Sequence, residues 1–253
     1  MVLAMTMMMA AAKRRGRKPV IDYGVDPLEL TRFYEDYFTA FPADTPELQR
    51  AAWYLRYQVL CVERQVFPVE AFPEQLENDE DDSRAVQALL CHQPDQRMAG
   101  AMRLILPKAG SLLPCLHLSA ELAQEVPAGS TAELSRFVII KEFRRRWDDG
   151  DYGAVNDWLS SDHQRRIPHC SLGLMRVMLQ LAREHNITHV CALAEPALLR
   201  LLQGLGLFFA PVGDLVSYHG MRQPCYAKLD TLLRRQQMER PEIWHFITEG
   251  GKY

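Results

Sequence analysis

Apolar positions along this chain follow two rhythms, one near 3.6 residues and one of short runs, and their order predicts the fold. Thr45-Pro46-Glu47-Leu48 reads as a helix start, a capping hydroxyl followed by proline at the first helical position. Leu48, Ala52, Leu55, Val59 and Val62 then form one stripe, with Arg56 beside it and able to turn inward. Leu28 to Phe41 has near-helical spacing and predicts a helix that Pro42 stops. Residues 64–82 carry two prolines and an acidic cluster without a period, a long loop of the kind that is usually functional in compact domains. Two strand-like runs, 85–91 and 98–106, flank the polar turn 92–96 and predict a hairpin. A short helical insertion is expected over 112–122, and a third strand over 131–141. Ser171 to His185 predicts a helix with Leu172, Met175, Met178, Leu179 and Ala182 on one face. A strand at 188–193 follows, then a helix opening at Glu195-Pro196, closing strands near 207–211, 215–218 and 224–229, and a polar helix from Thr231. This order gives a three-layer α/β arrangement around a mixed sheet.

Charged residues interrupt the apolar segments where burial is costly without a partner. Glu77, Asp79 and Asp82 form an E-x-D-x-x-D pattern running into the first strand of the hairpin. Arg103 stands between Met102 and Leu104 in the second strand, and Glu133-Leu134-Ser135-Arg136-Phe137 opens the third. Such groups mark either a buried ion network or a site.

The ordered set, L-R-x-x-V at Leu55 to Val59, E-x-D-x-x-D, G-x-x-R-L at Gly100 to Leu104, and E-x-S-R-F at Glu133 to Phe137, resembles the acyl-homoserine-lactone (autoinducer) synthase family. The set is more specific than any one piece and spans roughly residues 50–228. Phe67 stands where that family usually carries Trp, and Leu60 where it usually carries Phe. A nearer resemblance is to relatives that accompany exosortase/PEP-CTERM sorting systems. The resemblance implies a GNAT-like acyltransferase fold over 27–230, after a basic extension at 1–26 and before a helical tail at 231–253. It also implies transfer of a fatty acyl group from acyl carrier protein to a small amine or amino-acid-like acceptor. The alternatives are a homoserine-lactone synthase using S-adenosylmethionine, and a non-catalytic module that only binds the acyl carrier.

Composition narrows the classes. The chain has 253 residues, 48% hydrophobic and 24% charged, in the range of globular proteins, with a net charge of −3. Lys13, Arg14, Arg15, Arg17 and Lys18 concentrate positive charge at the N-terminus, so the body is the more acidic part and does not read as a nucleic-acid binder. The apolar start precedes these charges, the reverse of an export signal, and no run of ~18 apolar residues predicts a membrane span. A cytoplasmic protein without stable membrane insertion is expected. The six cysteines lack metal spacing and read as buried structural thiols, so no metal site is expected.

Acyl transfer from a thioester needs a polarised carbonyl, an oxyanion site, a base for the amine and an apolar slot. Glu133 reads as a water-assisted base or amine-binding carboxylate, with Arg136 as its orienting partner; an ion pair bracing the strand is the plainer reading. Residues three apart on a strand face opposite sides, so for both to reach one site a bulge must intervene. Arg103 is counted with Glu133 and Arg136 as catalytic, and Arg56, Ser135 and Phe137 join the substrate-binding set. Glu77, Asp79 and Asp82 are expected to form an acceptor site paired with Arg56 or Arg103, or else a solvated loop. Phe137, Val138, Met175, Leu179 and Phe208 are candidates for the acyl slot, with plain core the more ordinary reading for most of them. No R/Q-x-x-G-x-G/A stretch of the coenzyme-A-cradling type follows the third strand. Arg144, Arg145, Arg165 and Arg166 suit instead the phosphate and acidic helix of a carrier protein, which favours that donor over a coenzyme A thioester and calls for no cofactor.

Overall fold

A computed structural model describes residues 26–144 and 170–253. Helix α1, Pro27–Glu35, is capped by Asp26, whose carboxylate accepts the Leu28 N–H. The helix expected through Phe41 stops short. Phe38–Pro42 forms strand β1, because Phe38 and Ala40 alternate inward with the period of an edge strand while Pro42 ends it. Thr45 caps helix α2, Pro46–Tyr57, as its sequence implies. The helix then loosens into a single π-helical segment, Gln58–Glu63.

The predicted hairpin is present as β2, Ala85–His92, and β3, Arg97–Ile105, in antiparallel register. Two short helices, α3 (Pro114–Leu118) and α4 (Ala120–Glu125), form the insertion, and β4 runs from Thr131 to Ile139. Helix α5 is Lys141–Arg144, and α6 is Ser171–Glu184. Then follow β5 (His189–Ala194), α7 (Pro196–Gly204), the short β6 (Ala210–Pro211) and β7 (Val216–Ser217), and β8 (Met221–Lys228). Helices α8 (Leu229–Glu239) and α9 (Pro241–Ile247) close the chain. Ile243, Phe246 and Ile247 of α9 are buried in the main core, so this C-terminal segment packs into the domain body.

The sheet order is β1-β2-β3-β4-β5-β8-β6, with β7 paired on β8. Every pairing is antiparallel except β4 with β5. Helix α6 covers one face: Leu172, Met175, Met178 and Ala182 are fully buried against it. Gly173 lets this helix approach α1 closely, since a Cβ there would lie 2.2 Å from the Tyr34 hydroxyl. That hydroxyl accepts the Gly173 N–H at 2.9 Å and donates to the Cys170 carbonyl.

Two irregularities open the middle of the sheet. The parallel ladder between β4 and β5 holds only from Thr131–His189 to Glu133–Cys191, although both strands run on. On the other edge of β4, its partner β3 advances from Ala101 to Arg103 while β4 spans Val138 to Ser135. The extra residue is a β-bulge, and Arg136 takes a left-handed backbone there, with φ of 49°. The strand therefore bends away from β5 just past Glu133.

Candidate active site

The long loop after α2 and the bulged strand are joined by a closed ring of charge. Each acid bridges two arginines. Glu77 accepts from Arg56 Nε at 2.5 Å and Arg136 Nε at 3.0 Å. Asp79 accepts from Arg103 Nη1 at 2.5 Å and Arg136 Nη2 at 2.8 Å. Asp82 accepts from both terminal nitrogens of Arg56, at 2.7 and 3.1 Å, and from Arg103 Nη1 at 3.1 Å. Three cations and three anions alternate, so the ring carries no net charge and relieves the repulsion that three neighbouring carboxylates would otherwise feel. Arg56 and Glu77 are essentially inaccessible to solvent.

Local structure holds the ring in place. Asp79 and Asp82 cap each other across the turn Glu80–Arg84, with the Asp79 N–H donating to Asp82 at 2.8 Å. Gln87 of β2 adds an acceptor for Arg56 at 3.2 Å. Arg103 Nε donates to Ser135 Oγ at 3.0 Å, which ties the loop and β3 to β4 at the bulge. Burial by itself would raise the Asp82 carboxyl, but the hydrogen bonds and charges of Arg56 and Arg103 outweigh it and hold it below the usual range. Asp79 is held low in the same way, chiefly by Arg103.

Where β4 and β5 part, a cleft of about 1050 Å³, its mouth included, opens between the ring and α7. Glu133, Ser135, Arg136, Arg103 and Asp79 line its polar end. Leu198, Leu199, Leu202 and Phe209 line an apolar end, together with Phe137 and Val138. Arg56, Glu77 and Asp82 do not reach the cleft; they stand behind its wall as the inner half of the ring. Met175 and Leu179 belong to the core beneath α6, the plainer of the two readings their sequence offered. Phe208 instead faces Arg235, whose guanidinium lies 4.8 Å from the ring centroid. The apolar face of α7 takes their place.

Glu133 is not partnered by Arg136. Its carboxylate accepts the backbone N–H of Cys115 at 2.8 Å, and Arg136 is committed to Glu77 and Asp79. The bulge brings both side chains to the cleft, but Glu77 and Asp79 already hold the Arg136 guanidinium. Burial pushes the Glu133 carboxyl above its usual range, and the Cys115 N–H and the charge of Arg103 only partly offset this. A carboxylate held this way is a stronger base than one in water.

Several cleft residues were not anticipated. Phe67 lies with its ring centroid 5.1 Å from the Arg136 guanidinium and 4.7 Å from the His219 ring. Tyr218, His219 and Arg222, from the turn and strand that close the sheet, also line the cleft. So do Arg64 and Glu195. The sequence signal for Phe67 was its place opposite the family's usual Trp; the others sit in polar turns without periodicity. Cys115 and Cys191 are free, buried, and have sulfurs 3.1 Å apart at the root of the opening. Side chains of Arg144, Arg145, Arg165 and Arg166 lie outside the described residues. Among the described residues there is no cluster of three or more metal-ligating side chains, and no helix is long and apolar enough to cross a membrane.

Residues 55–147 match a family model described as an acetyltransferase (GNAT) domain. No curated protein matches the chain by sequence. Three solved structures are similar over most of both chains. TofI, in a ternary complex with an inhibitor and MTA, is 19% identical, with a TM-score of 0.53 over 77% of this chain and 96% of its own. FeeM, an N-acyl amino acid synthase from uncultured soil microbes, is 20% identical, with a TM-score of 0.54 over 78% and 93%. BjaI, a CoA-dependent acyl-homoserine lactone synthase bound to SAM and isopentyl-CoA, is 19% identical, with a TM-score of 0.52 over 80% and 89%.

Proposed function

We propose that this GNAT-like chain is an N-acyltransferase that moves a fatty acyl group from an acyl carrier protein thioester to a small amine. The observation that carries the reading is the parting of β4 from β5 immediately beyond a buried, proton-avid Glu133, with an apolar slot on one side and a fixed array of guanidinium groups on the other. The family match and the similar structures support acyl transfer, two of them being described as an N-acyl amino acid synthase and a CoA-dependent acyl-homoserine lactone synthase; they do not select the carrier protein as donor.

In this reading the acyl chain lies along Leu198, Leu199 and Leu202. The thioester carbonyl sits in the opening, where the β4–β5 ladder has ended and backbone N–H groups of β4 beyond Glu133 are the candidates for stabilising the developing oxyanion. Glu133, directly or through one water, takes the amine's proton as the C–N bond forms. The C–S bond then breaks, and the proton passes to the departing thiolate, so a thiol and an amide leave the site. The charge ring does not touch the reacting atoms. It holds Arg136 and Ser135 in place and fixes the bulge that gives the opening its shape. No cofactor is required beyond the donor.

The carrier protein as donor and the exosortase-system association rest on the motif resemblance, and the choice of donor also on the absence of a coenzyme-A-cradling glycine stretch. The test is direct. Purified protein is mixed with octanoyl-loaded carrier protein, and thiol release is followed with amino acids, with simple amines or with S-adenosylmethionine. Release that depends on an amine other than S-adenosylmethionine supports the reading. Release only with S-adenosylmethionine moves the chain to the lactone synthases, and tight carrier binding without release makes it a binding module.

A further inference from the structure

Two buried thiols stand behind Glu133, and no step of the acyl transfer uses them. Cys115 sits in the first turn of α3, and Cys191 lies on β5, directly across the last rung of the parallel ladder from Glu133. Both are free and fully buried, and their sulfurs lie 3.1 Å apart. Cys115 is tied to the Glu133 carboxylate twice, by its backbone N–H at 2.8 Å and by its thiol. The arrangement is held from behind by apolar packing: Ile105, Leu113, Leu116 and Leu122 share one cluster with both cysteines.

The partners fix the direction of these bonds. Cys191 donates to the Ala132 carbonyl at 3.5 Å, so its sulfur meets Cys115 as an acceptor. Burial, Cys191 and the nearby carboxylate all push the Cys115 thiol far up, so it stays protonated and remains a donor. It has one proton and two acceptors, the Glu133 carboxylate and the Cys191 sulfur. Sulfur is a weak acceptor and an ionised carboxylate a strong one, so charged Glu133 takes the bond. Once Glu133 carries a proton its oxygens accept less strongly, and the Cys115 S–H can turn to Cys191. The charged form thus gains a hydrogen bond, and the neutral form leaves no buried donor stranded.

We infer that Cys115 is a positioning residue for Glu133 and Cys191 its alternate acceptor, a pair that lets the base take up and return the amine's proton without moving. The catalytic meaning of this rests on the acyltransferase reading; the hold of the thiols on the carboxylate does not. Two charges act on Glu133 from other elements: Arg103 of β3 disfavours its protonation, and Asp81 of the turn Glu80–Arg84 favours it. Arg64, Asp79, Arg136, Glu195, His219 and Arg222 line the same cleft. The substitutions that test the pair leave all of these in place.

The test reads the Glu133 carboxyl itself, by carbon-13 NMR titration of the full chain labelled at its glutamate carboxyls, with Glu133→Gln assigning the resonance. Cys115→Ala keeps the backbone N–H and removes the thiol, so the Glu133 titration is expected to move up by about 0.5–1 pH unit. Cys115→Ser restores a donor and should bring it back to the wild-type position or below. Cys191→Val fills similar space and takes away the alternate acceptor, so the Cys115 proton stays with the carboxylate and the titration should move down. An unmoved titration in Cys115→Ala, or a move in the same direction for Cys115→Ala and Cys191→Val, overturns the inference. Should Cys115→Ala not fold, Cys191→Val decides alone, and an unmoved or upward titration there overturns it. In the acyl-transfer assay the acid limb of kcat/KM should follow these moves; a limb that stays fixed while the titration moves overturns the role in catalysis. Titrations that move as stated, with no transfer to any amine by the wild type, overturn the acyltransferase reading and leave the thiols' hold on Glu133 standing. Transfer by the wild type with unmoved titrations overturns this inference alone.

Discussion

The Glu133 carboxylate accepts the backbone N–H of Cys115 across 2.8 Å at the last rung of the β4–β5 ladder, where the sheet begins to open. That neutral donor orients the carboxylate without pairing it with a cation. The group thus stays buried and proton-avid at the point where an amine would meet a thioester.

Glu133→Gln keeps an amide oxygen for the Cys115 N–H and removes only the basicity. It is expected to lower kcat by about 10²–10⁴-fold while the circular dichroism spectrum and the cooperative thermal transition persist. An unfolded variant would assign Glu133 to the architecture of the strand.

The same variant has a signature in stability against pH. Because the folded protein holds the Glu133 proton more tightly than the unfolded chain does, this group's stabilising contribution is full at pH below the ordinary carboxylate range. It declines as pH rises from there through the raised folded-state value. Urea titrations at a series of pH values should show wild type losing stability relative to Glu133→Gln over that window.

The ring predicts the opposite slope. Asp79 and Asp82 are held low, so their contribution is present above the ordinary carboxylate range and is lost as pH falls through their depressed values. Asp82→Asn should flatten acid unfolding. Arg56→Met, which strands Glu77 and Asp82 without their buried partner, should cost about 3–5 kcal/mol in denaturant unfolding.

Slot length should be set by α7. Leu202→Trp fills the apolar end of the cleft, so the variant should accept short acyl chains and reject long ones, read as a shift in the kcat/KM profile across carriers loaded with different chain lengths. An unchanged profile would place the chain elsewhere.

Much of this was legible in the residues. Thr45-Pro46 announced α2, the polar turn at 92–96 announced the hairpin, and the spacing of Glu133 and Arg136 called for a bulge if both were to reach one site, a bulge that Arg136 makes. Arginines inside apolar segments announced buried pairs, because the cost of burying them alone excludes most other outcomes. Partner choice was not legible. Cys115 reaches Glu133 through its backbone, which leaves no trace in side-chain identity, and Glu195 meets Arg64 and Arg222 only because three distant elements converge. Phe38–Pro42 read as helix because five residues of an edge strand fit either period, and its pairing with β2 decides the matter. For Met175 and Leu179 slot and core stayed open as readings, because an apolar side chain carries no mark of whether it faces a cavity or a core; the structure places both in the core.

The most direct measurement is a single turnover with a carrier loaded with labelled octanoate, in which thiol and labelled products are counted together by mass spectrometry. The account predicts one N-octanoyl amide for each thiol released by the wild type, and almost none from Glu133→Gln. Labelled free octanoate in place of amide, or no thiol released with any amine, would contradict it.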